Sequence, residues 1–377
     1  MDTYTWIQTK AGPKQVGELV GKPFVALIDG EECLSTKGFF CLGRKQILEL
    51  RTVEGLTVRL TNDSQLCRVT TLTRYRRTFS WADVGSFATG NLILLPCHRS
   101  SMRWGVVGTE EEGYLLGSLV GDGHLKKDSA VISVWEGVRK QVMNGPDSFG
   151  GQGIMLAAEQ AALAGSGMVM KFWPVNRNGE FRMKSRWLLD LANRFGLCRG
   201  DKNVTSKVEA SSRGFHAGFL RGLFDADGSV QGTQEKGVSV RLTQSSTETL
   251  ERAQRMLLRF GVVSTIYKNR KGPSPSMKAM PDGKGGTNKY WVQPFHELVI
   301  SCDNLAVFQG AIGFADSEKA ATLAKALTNY RRACNRERFV NHVAEIRVVG
   351  EALAYGVCTV GGDSVDANGF RVRTLAR

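Results

Sequence analysis

The chain has 377 residues and a formal net charge of +14 at pH 7, and its length favours two or three domains over one. No stretch approaches the roughly 20 consecutive apolar residues of a membrane-spanning helix, and the start of the sequence lacks a secretory signal pattern. We therefore expect a cytoplasmic protein. The excess of Lys and Arg favours a polyanionic partner, because neutralised phosphates release condensed counterions. The alternative is a soluble protein that is merely basic.

The eight cysteines contain no CxxC pair and no His at zinc-ligand spacing. We expect them to be reduced core residues, without a structural zinc site.

Short runs at 23–28, 47–52, 56–61 and 92–96 are rich in Val, Leu and Ile, and the turn residues between them predict strands. Apolar residues at helical spacing then predict helices at 113–120, 186–195, 215–224, 247–260 and 317–330, with strand-like runs at 238–243 and 290–300. Residues 343–377 again predict strands, with turns at Gly361-Gly362 and Asn368-Gly369. This pattern predicts a middle domain inserted into a β domain that both chain ends build.

The middle region carries an internal repeat. LLGSLVGDGHL at 115–125 is echoed by LRGLFDADGSV at 220–230, and RWLLDLANRFGL at 186–197 by LERAQRMLLRFGV at 250–262. Each unit should run from a motif helix through strands to a further helix that ends in Phe-Gly. Two such units predict a pseudo-two-fold pair, which suits the approximate two-fold symmetry of duplex DNA.

Each motif carries small residues four positions apart, Gly117 and Gly121 in the first copy and Gly222 and Ala226 in the second. Small residues on one helical face allow two backbones to approach closely. The motif helices should therefore pack together and bring their C-terminal ends into one place.

Asp122 and Asp227 would then lie side by side, where the helix dipoles and mutual repulsion disfavour their charges. Such a pair attracts a cation, and carboxylate oxygens select Mg²⁺ or Mn²⁺, which also bind phosphate oxygens. A metal there can promote phosphodiester hydrolysis. Gly123 and Gly228 follow the acids, where we expect a left-handed helix exit. The alternative is that Asp-Gly only ends two ordinary helices, but the repeat favours a function.

LLGSLVGDG and LRGLFDADG resemble the two motifs of the LAGLIDADG family, which includes homing endonucleases. The second copy matches closely, and the first departs at Ser118 and at Val120, where many members have an acid. The resemblance implies an α+β fold with a pseudo-two-fold endonuclease domain of two αββαββα-like halves. A saddle of antiparallel strands would lie in the DNA major groove, which admits a β-ribbon.

The resemblance also implies that Asp122 and Asp227 bind the divalent metal, with Gly121 and Ala226 beside them. Roughly two or three ions would be shared between the aspartates and DNA phosphates. The partner would be double-stranded DNA with a long recognition site, bound by a monomer.

Members of the family commonly place a Lys near each half-site. KNVTSKVEASSRGFHAGFLRGLFDAD at 202–227 resembles the stretch before the second motif and points to Lys202, with Lys207 as the near alternative. IGFADSEKAATL at 312–323 resembles the closing segment and points to Lys319. The alternative for each Lys is a solvated charge or a phosphate contact.

Other basic residues are predicted to contact DNA phosphates, which position a protein without specifying sequence. Residues 268–289 hold six Lys or Arg and one acid, and their Gly, Pro and Ser content predicts a mobile loop; a hairpin tip without contacts is the alternative. RYRR at 74–77 is a smaller basic patch. The predicted DNA contacts are Lys126, Lys127, Lys207, Arg241, Lys268, Arg270, Lys271, Lys284, Lys289, Arg74, Arg76 and Arg77.

The chain ends resemble the Hint domain of inteins, through TYTWIQTKAGPKQVGELVGKPFVALIDG, RTVEGLTVRLTND and AYGVCTVGGDSVDANGFRVRT. Residues 1–108 and 336–377 would be its two parts, around endonuclease halves at 109–212 and 213–335. Splicing needs groups that are missing here: Met1 replaces the first nucleophile, Ser64 replaces the activating His, and Arg373-Thr374 replaces the final His-Asn. We therefore expect a splicing-inactive domain that serves as a scaffold or a DNA-binding surface.

Together these features predict a site-specific double-strand DNA endonuclease of the homing type that requires a divalent metal. Two alternatives stay open. One is a splicing-competent intein that carries an endonuclease, and the other is a LAGLIDADG protein that only binds RNA or DNA.

Overall fold

The computed structural model describes residues 1–100, 102–135, 150–175, 179–233, 237–270, 276–281, 287–292, 294–328 and 335–375. The segments at the chain ends form β1 (Trp6–Ile7), β2 (Lys14–Gln15), β3 (Phe24–Ile28), β4 (Glu31–Ser35), β5 (Phe40–Thr52), β6 (Thr57–Thr61), β7 (Gln65–Leu72), β8 (Arg77–Asp83), β9 (Leu92–Leu94), β20 (Val340–Gly356), β21 (Ser364–Ala367) and β22 (Phe370–Arg373), with 3-10 turns at Val16–Leu19 and Val84–Ser86.

The middle region forms α1 (Glu110–Asp122), β10 (Gly123–Leu125), β11 (Ala130–Trp135), α2 (Gly150–Ser166), β12 (Trp173–Pro174), β13 (Glu180–Ser185), α3 (Arg186–Arg194), α4 (Ser206–Glu209), α5 (Arg213–Asp227), β14 (Gly228–Thr233), β15 (Gly237–Gln244), α6 (Thr247–Leu258), β16 (Thr265–Tyr267), β17 (Ser276–Pro281), β18 (Thr287–Val292), β19 (His296–Ser301), α7 (Asn304–Ala311) and α8 (Ser317–Thr328).

Both chain ends build one sheet, in which the strand order is β2-β1-β21-β22-β7-β9-β20-β5-β6, with β8 on β7. The long strands β5 and β20 pair with each other across the gap in sequence. The Asn368-Gly369 turn joins β21 to β22 with positive φ at both residues, as the predicted tight hairpin requires. This β unit has its own core, which includes Phe39, Leu50 and Phe370.

The middle region follows the order αββαββα twice, first from α1 to α3 and then from α5 to α7, where the two-stranded ribbon β17–β18 is inserted between β16 and β19. The two four-stranded sheets share one topology, β10-β11-β13-β12 and β14-β15-β19-β16, so the element order implied by the family resemblance is observed. Here α1 to α3 is called the first half and α5 to α7 the second half. The two halves share a core that includes Leu116, Phe219 and Leu223.

The second sequence echo is not a topological repeat, so that prediction is wrong. The helix of RWLLDLANRFGL is α3, the last helix of the first half, whereas LERAQRMLLRFGV forms α6, the middle helix of the second half. Both helices are followed by a glycine with positive φ, Gly196 and Gly261. The shared Phe-Gly therefore reflects the same helix-ending chemistry at two different places.

The expectation of a mobile loop at 268–289 is also wrong for the part that the structure describes. There β17 and β18 pair antiparallel as a ribbon between β16 and β19. The strand-like run at 290–300 is divided as well, because β18 ends at Val292 and β19 begins at His296.

A buried ion cluster ties α4 to α6. Glu209 is fully buried, and its carboxylate accepts hydrogen bonds from Arg255 at 2.6 and 2.8 Å and from Arg259 at 3.1 Å. Burial opposes ionisation, yet the arginines hold the pKa of Glu209 at about 2. The segment between the two halves is thus anchored to the second half.

In the described ranges, no helix has the length and apolar character needed to cross a membrane. In the same ranges Cys33, Cys41, Cys67, Cys97, Cys198 and Cys302 are free thiols.

Candidate active site

The motif helices α1 and α5 cross in direct backbone contact. A Cβ atom on Gly117 would lie under 3.0 Å from the Phe219 carbonyl oxygen, and one on Gly222 would lie equally close to the Tyr114 carbonyl oxygen. Close packing through the small residues is therefore confirmed.

The glycine contact extends one turn further towards the helix N-termini than predicted. Gly113 lies against the Phe215 carbonyl and Gly218 against the Glu110 carbonyl, again with no room for a Cβ. The four-residue spacing of Gly113, Gly117 and Gly121 is visible in the sequence, so this signal was available.

The helix exits differ from the expectation of left-handed glycines. Gly123 has φ −103° and ψ 170°, and Gly228 has φ −89° and ψ 158°, which is extended backbone that leads directly into β10 and β14. Glycine fits for a steric reason instead, because a Cβ would lie under 3.0 Å from the carbonyl oxygens of Leu119 and Phe224.

Asp122 and Asp227 end the crossed helices. Asp227 leans on the end of α1, where its Oδ2 lies 3.1 Å from an ideal Cβ on Gly121. Burial and the neighbouring Asp122 raise the pKa of Asp227 to about 6. Burial also raises the pKa of Asp122, against the attraction of Lys319 and other nearby cations. The two carboxyl groups share one electrostatic environment that favours an added proton or cation.

Gln244 is a site residue that the sequence did not reveal. At the end of β15 its Nε2 donates to Asp227 Oδ2 at 2.6 Å. In the common topology Gly228 pairs with Leu242 as Gly123 pairs with Ile132, so the first half has Val134 at the register of Gln244. Only the second half supplies an amide to its aspartate at this register.

Two predicted lysines reach the ends of the motif helices. Lys202 Nζ donates to the carbonyls of Gly121 at 3.2 Å and Gly123 at 2.8 Å. Lys319 Nζ donates to the carbonyls of Phe224 and Asp225. A cation at a helix C-terminus is favourable, so each lysine sits beside one motif acid.

Lys207 is not brought to the acids, since its Nζ donates to the Arg194 carbonyl at 3.1 Å. Of the two candidates in this stretch, Lys202 is the one at the site. Burial lowers the pKa of Lys202, whereas Asp227 and Asp122 act to raise it.

Asp227 and Lys202 line a cleft of about 1090 Å³. The predicted DNA contacts Lys126 and Lys127 lie on its wall, together with His124. The wall is therefore rich in basic side chains next to the paired acids.

Three of the other predicted DNA contacts form ion pairs with carboxylates. Arg241 and Arg270 both pair with Glu297, at 3.2 and 2.9 Å, and Lys268 pairs with Glu251 at 3.3 Å. The remaining positions are exposed or lie outside the described residues. Lys289 is exposed in β18, Arg74, Arg76 and Arg77 are exposed where β7 turns into β8, and Lys271 and Lys284 lie outside the described residues.

The acid at 225 plays a structural part that the sequence reasoning missed. Asp225 is buried, and its carboxylate accepts from the backbone amides of Ala315 and Asp316 and from the Tyr114 hydroxyl, with shortest distances of 3.0 Å. It ties the end of α5 to the segment before α8. At the matching motif position the first half has Val120, which is buried in the core.

The positions matched to splicing residues lie in the β unit. Met1 is buried and its amino group donates to the Tyr355 carbonyl at 3.1 Å. The Ser64 and Thr61 hydroxyls are 2.8 Å apart. Arg373 donates to the Gln65 side chain at 2.9 Å, and the Thr374 amide donates to the Asp363 carbonyl.

The atoms at Asp122 and Asp227 that could bind a metal ion are oxygen atoms. Of the described residues, no three His, Cys, Asp or Glu side chains are grouped to hold a metal. Two carboxylates with nearby carbonyls suit Mg²⁺ or Mn²⁺, whose other ligands are water and phosphate. The Gly121 carbonyl already accepts from Lys202, and the Ala226 side chain packs on Gly121.

Several curated proteins show sequence similarity to the chain. The alpha subunit of ribonucleoside-diphosphate reductase NrdEB from Bacillus subtilis (strain 168) is 25% identical over 292 residues, which cover 76% of this chain and 25% of that protein. The probable translation initiation factor IF-2 of Thermococcus kodakarensis is 36% identical over 116 residues, which cover 30% of this chain and 8% of that protein. The chain thus spans about a quarter of the length of the first relative.

Among solved structures, I-DmoI in complex with DNA and Mn is 16% identical, covers 54% of this chain and 96% of its own, and gives a TM-score of 0.32. Full-length DUF199/WhiA from Thermatoga maritima is 16% identical, covers 60% of this chain and 63% of its own, and gives a TM-score of 0.34. Residues 214–313 of the chain match the family model described as the LAGLIDADG-like domain.

Proposed function

We propose that the chain is a site-specific endonuclease that hydrolyses both strands of duplex DNA with a divalent metal. One observation carries the proposal: the two repeated aspartates lie together at the ends of crossed helices, each with a lysine beside it, next to a basic cleft. A carboxylate pair with raised pKa values is poorly suited to a purely structural role, because the folded protein disfavours the ionised form of both side chains.

Asp122 and Asp227 would hold Mg²⁺ or Mn²⁺ between them and the DNA. When bound, such an ion supplies Lewis-acid activation of the phosphodiester and lowers the pKa of water. Gln244 fixes the orientation of Asp227 through its hydrogen bond. Lys202 and Lys319 place positive charge at the same helix ends, where a phosphate under attack gains negative charge. Lys126 and Lys127 would hold the DNA backbone along the cleft.

A protein that only binds nucleic acid is the main alternative. Binding alone needs the basic wall but not two neighbouring carboxylates, which repel DNA phosphates unless a cation is present. The paired acids therefore favour cleavage.

We also propose that the β unit is a Hint-like domain without splicing activity. Ser64 occupies the place expected for the activating His, and its hydroxyl lies within hydrogen-bond distance of Thr61. Expression of the segment between two reporter exteins tests this proposal. Ligated exteins on a gel would overturn it.

The endonuclease is tested with a plasmid that carries the uninterrupted sequence formed by joining the DNA on either side of the coding element. Purified protein should convert it to a linear product with Mg²⁺ and leave it supercoiled with a chelator. A matched plasmid without the junction should stay uncut. Failure to cut with either Mg²⁺ or Mn²⁺ would favour the binding-only alternative.

Cleavage should depend on pH through Asp227. Its pKa is raised to about 6. Below pH 6 a proton therefore competes with the metal for the carboxylate, and above pH 6 the carboxylate is mostly ionised and free to bind the metal. We expect the half-saturating Mg²⁺ concentration to rise by about tenfold per pH unit below pH 6 and to level off above pH 7. Mg²⁺ titrations of initial nicking rates at pH 5, 6, 7 and 8 measure this. A constant half-saturating concentration would contradict it.

Lys202 and Lys207 form a matched pair for a charge-removal test. Lys202→Met should slow cleavage by about 10- to 100-fold, because it removes positive charge from the helix end beside Asp122. Lys207→Met removes the same charge five residues later, where Nζ donates to the Arg194 carbonyl, and should cut nearly as the wild type does. Single-turnover rates at saturating protein separate this effect from weaker binding. Equal rates for the two variants would show that Lys202 does not act at the site.

A further inference from the structure

Five arginines, four exposed and one (Arg338) half-buried, form a cluster where the β unit meets the second half. We call it the arginine patch, and it consists of Arg74, Arg76, Arg77, Arg336 and Arg338. Two come from the turn between β7 and β8, Arg77 begins β8, and two come from the segment before β20. Residues far apart in sequence thus concentrate positive charge at one place on the surface.

Backbone acceptors hold the patch together. Arg338 Nη1 donates to the Arg74 carbonyl at 2.9 Å, and Arg77 Nη1 donates to the Arg338 carbonyl. Burial, Arg338 and Arg336 together lower the pKa of Arg77, as crowding of like charges does. Such an arrangement stores repulsion that a bound polyanion would relieve.

Two carboxylates beside the patch are hydrogen-bonded to groups outside its arginine side chains. Glu337 accepts from its own neighbours' amides and from Asn304 Nδ2 at 2.8 Å. The Asp303 carboxylate accepts hydrogen bonds from the two terminal nitrogens of Arg99, at 2.8 and 3.0 Å. Across the ranges that the structure describes, none of the five arginines forms an ion pair with a carboxylate. The arginines of the patch therefore keep their positive charge without a direct ion pair, although Arg336 lowers the pKa of Asp303 by electrostatic attraction.

The patch adjoins one end of the second-half sheet. The β19 strand runs from His296, which pairs with Gln244 beside Asp227, to Ser301. Asp303 follows that strand, and its Oδ1 accepts from the Glu337 amide at 3.1 Å. At about 3.3 Å per residue, the far end of β19 lies roughly 17 Å from the catalytic end, or about five base-pair steps.

We propose that the arginine patch is a second DNA-contact surface, which holds the phosphate backbone of duplex beyond the second-half end of the cleavage site. The proposal rests on the proposed function for its DNA partner, and it adds an asymmetry, because the patch lies at the second-half end of the endonuclease domain. Tyr75, 89% exposed at the tip of the β7–β8 turn, stands among the arginines. A two-stranded ribbon with a basic, aromatic tip fits a DNA groove.

The test removes three patch charges whose side chains form no hydrogen bond with another described residue, as Arg74→Gln, Arg76→Gln and Arg336→Gln in one chain. The control removes three exposed charges elsewhere on the β unit, as Lys22→Gln, Lys37→Gln and Arg44→Gln, so both chains have the same net charge. Binding of each to a 40-base-pair (about four helical turns) random-sequence duplex is measured over a range of salt concentrations without metal.

The patch variant should reduce the slope of log affinity against log salt by up to about 2.7, since each phosphate contact contributes about 0.9. The control should keep the wild-type slope. Equal slopes for the patch variant and the wild type would overturn the inference, as would loss of slope in the control alone. Binding of wild type to vesicles with anionic lipid, together with an unchanged DNA slope in the patch variant, would point to a membrane surface and also overturn it.

This measurement is independent of catalysis. Loss of cleavage with an intact patch effect would defeat only the proposed nuclease, whereas normal cleavage with no patch effect would defeat only this inference. On the junction duplex, footprinting should show protection that extends further on one side in the wild type and shrinks on that side in the patch variant. A symmetric footprint that the variant leaves unchanged would contradict the asymmetry.

Discussion

Asp122→Asn and Asp227→Asn should each reduce double-strand cleavage by at least about 1000-fold. Asparagine keeps the shape of the side chain and removes the charge that binds the cation, and loss of several kcal/mol of transition-state stabilisation corresponds to that factor. The measurement is the rate of linear product from the junction plasmid at saturating Mg²⁺. Normal cutting by either variant would contradict the assignment of the site.

Stability supplies a second readout for the same variants. Burial raises the folded-state pKa of both aspartates, so in the absence of metal each ionised carboxylate opposes folding at neutral pH. The sign follows from linkage: a raised acid pKa means that the folded chain binds more protons, so the contribution of Asp227 to stability falls as pH rises from about 4 to 6, and that of Asp122 changes in the same direction. Each Asn variant should therefore unfold at equal or higher urea than the wild type at pH 7. Asp190→Asn, at an exposed position on α3, is the control that should change neither cleavage nor stability.

The features that the sequence predicts correctly depend on short-range spacing. Small residues four apart place a smooth stripe on one helix face wherever the helix packs, so the contact between Gly117 and α5 follows from local pattern. The sequence repeat indicates two helices with such a stripe of small residues. The two helices can therefore pack against each other through their stripes. The assignment of Asp122 and Asp227 to neighbouring helix ends rests on the same logic.

The features that it misses depend on register or on long-range packing. Gln244 meets Asp227 only because β15 pairs with β14 in one register, and a shift of one residue would turn it away. Lys202 and Lys207 are separated by a turn into α4 that spacing alone does not reveal. The middle helix of the first half, α2, escaped prediction because its Gly- and Ala-rich sequence has weak apolar periodicity.

The same limit explains the mistaken helix correspondence. A Phe-Gly at the end of an amphipathic helix reports how that helix stops, and many unrelated helices stop in this way. The equivalent elements of the two halves are defined instead by the strand order, in which α2 corresponds to α6 and α3 corresponds to α7. Repeats in a sequence thus need agreement of topology before they define equivalent elements.

Gly117→Ala and Gly222→Ala should each lower the free energy of unfolding by about 3 kcal/mol or more. Two effects oppose each other at these positions. Alanine favours the helix by about 1 kcal/mol over glycine, but its Cβ would lie under 3.0 Å from a backbone carbonyl of the partner helix. Because a backbone atom cannot rotate away as a side chain can, the helices must separate and lose packed surface along the crossing. The steric term therefore wins.

Gly214→Ala provides the matched control on α5. Its Cβ would meet Glu110 N at 3.8 Å, an ordinary contact, so only the helix preference remains and stability should stay equal or rise. Urea unfolding of the three variants measures the difference. Separation of the helices would also draw Asp122 away from Asp227, so the two crossing variants should lose cleavage under conditions in which they are still folded. If Gly117→Ala and Gly222→Ala matched Gly214→Ala in stability, close backbone contact could not be what holds the paired acids in place.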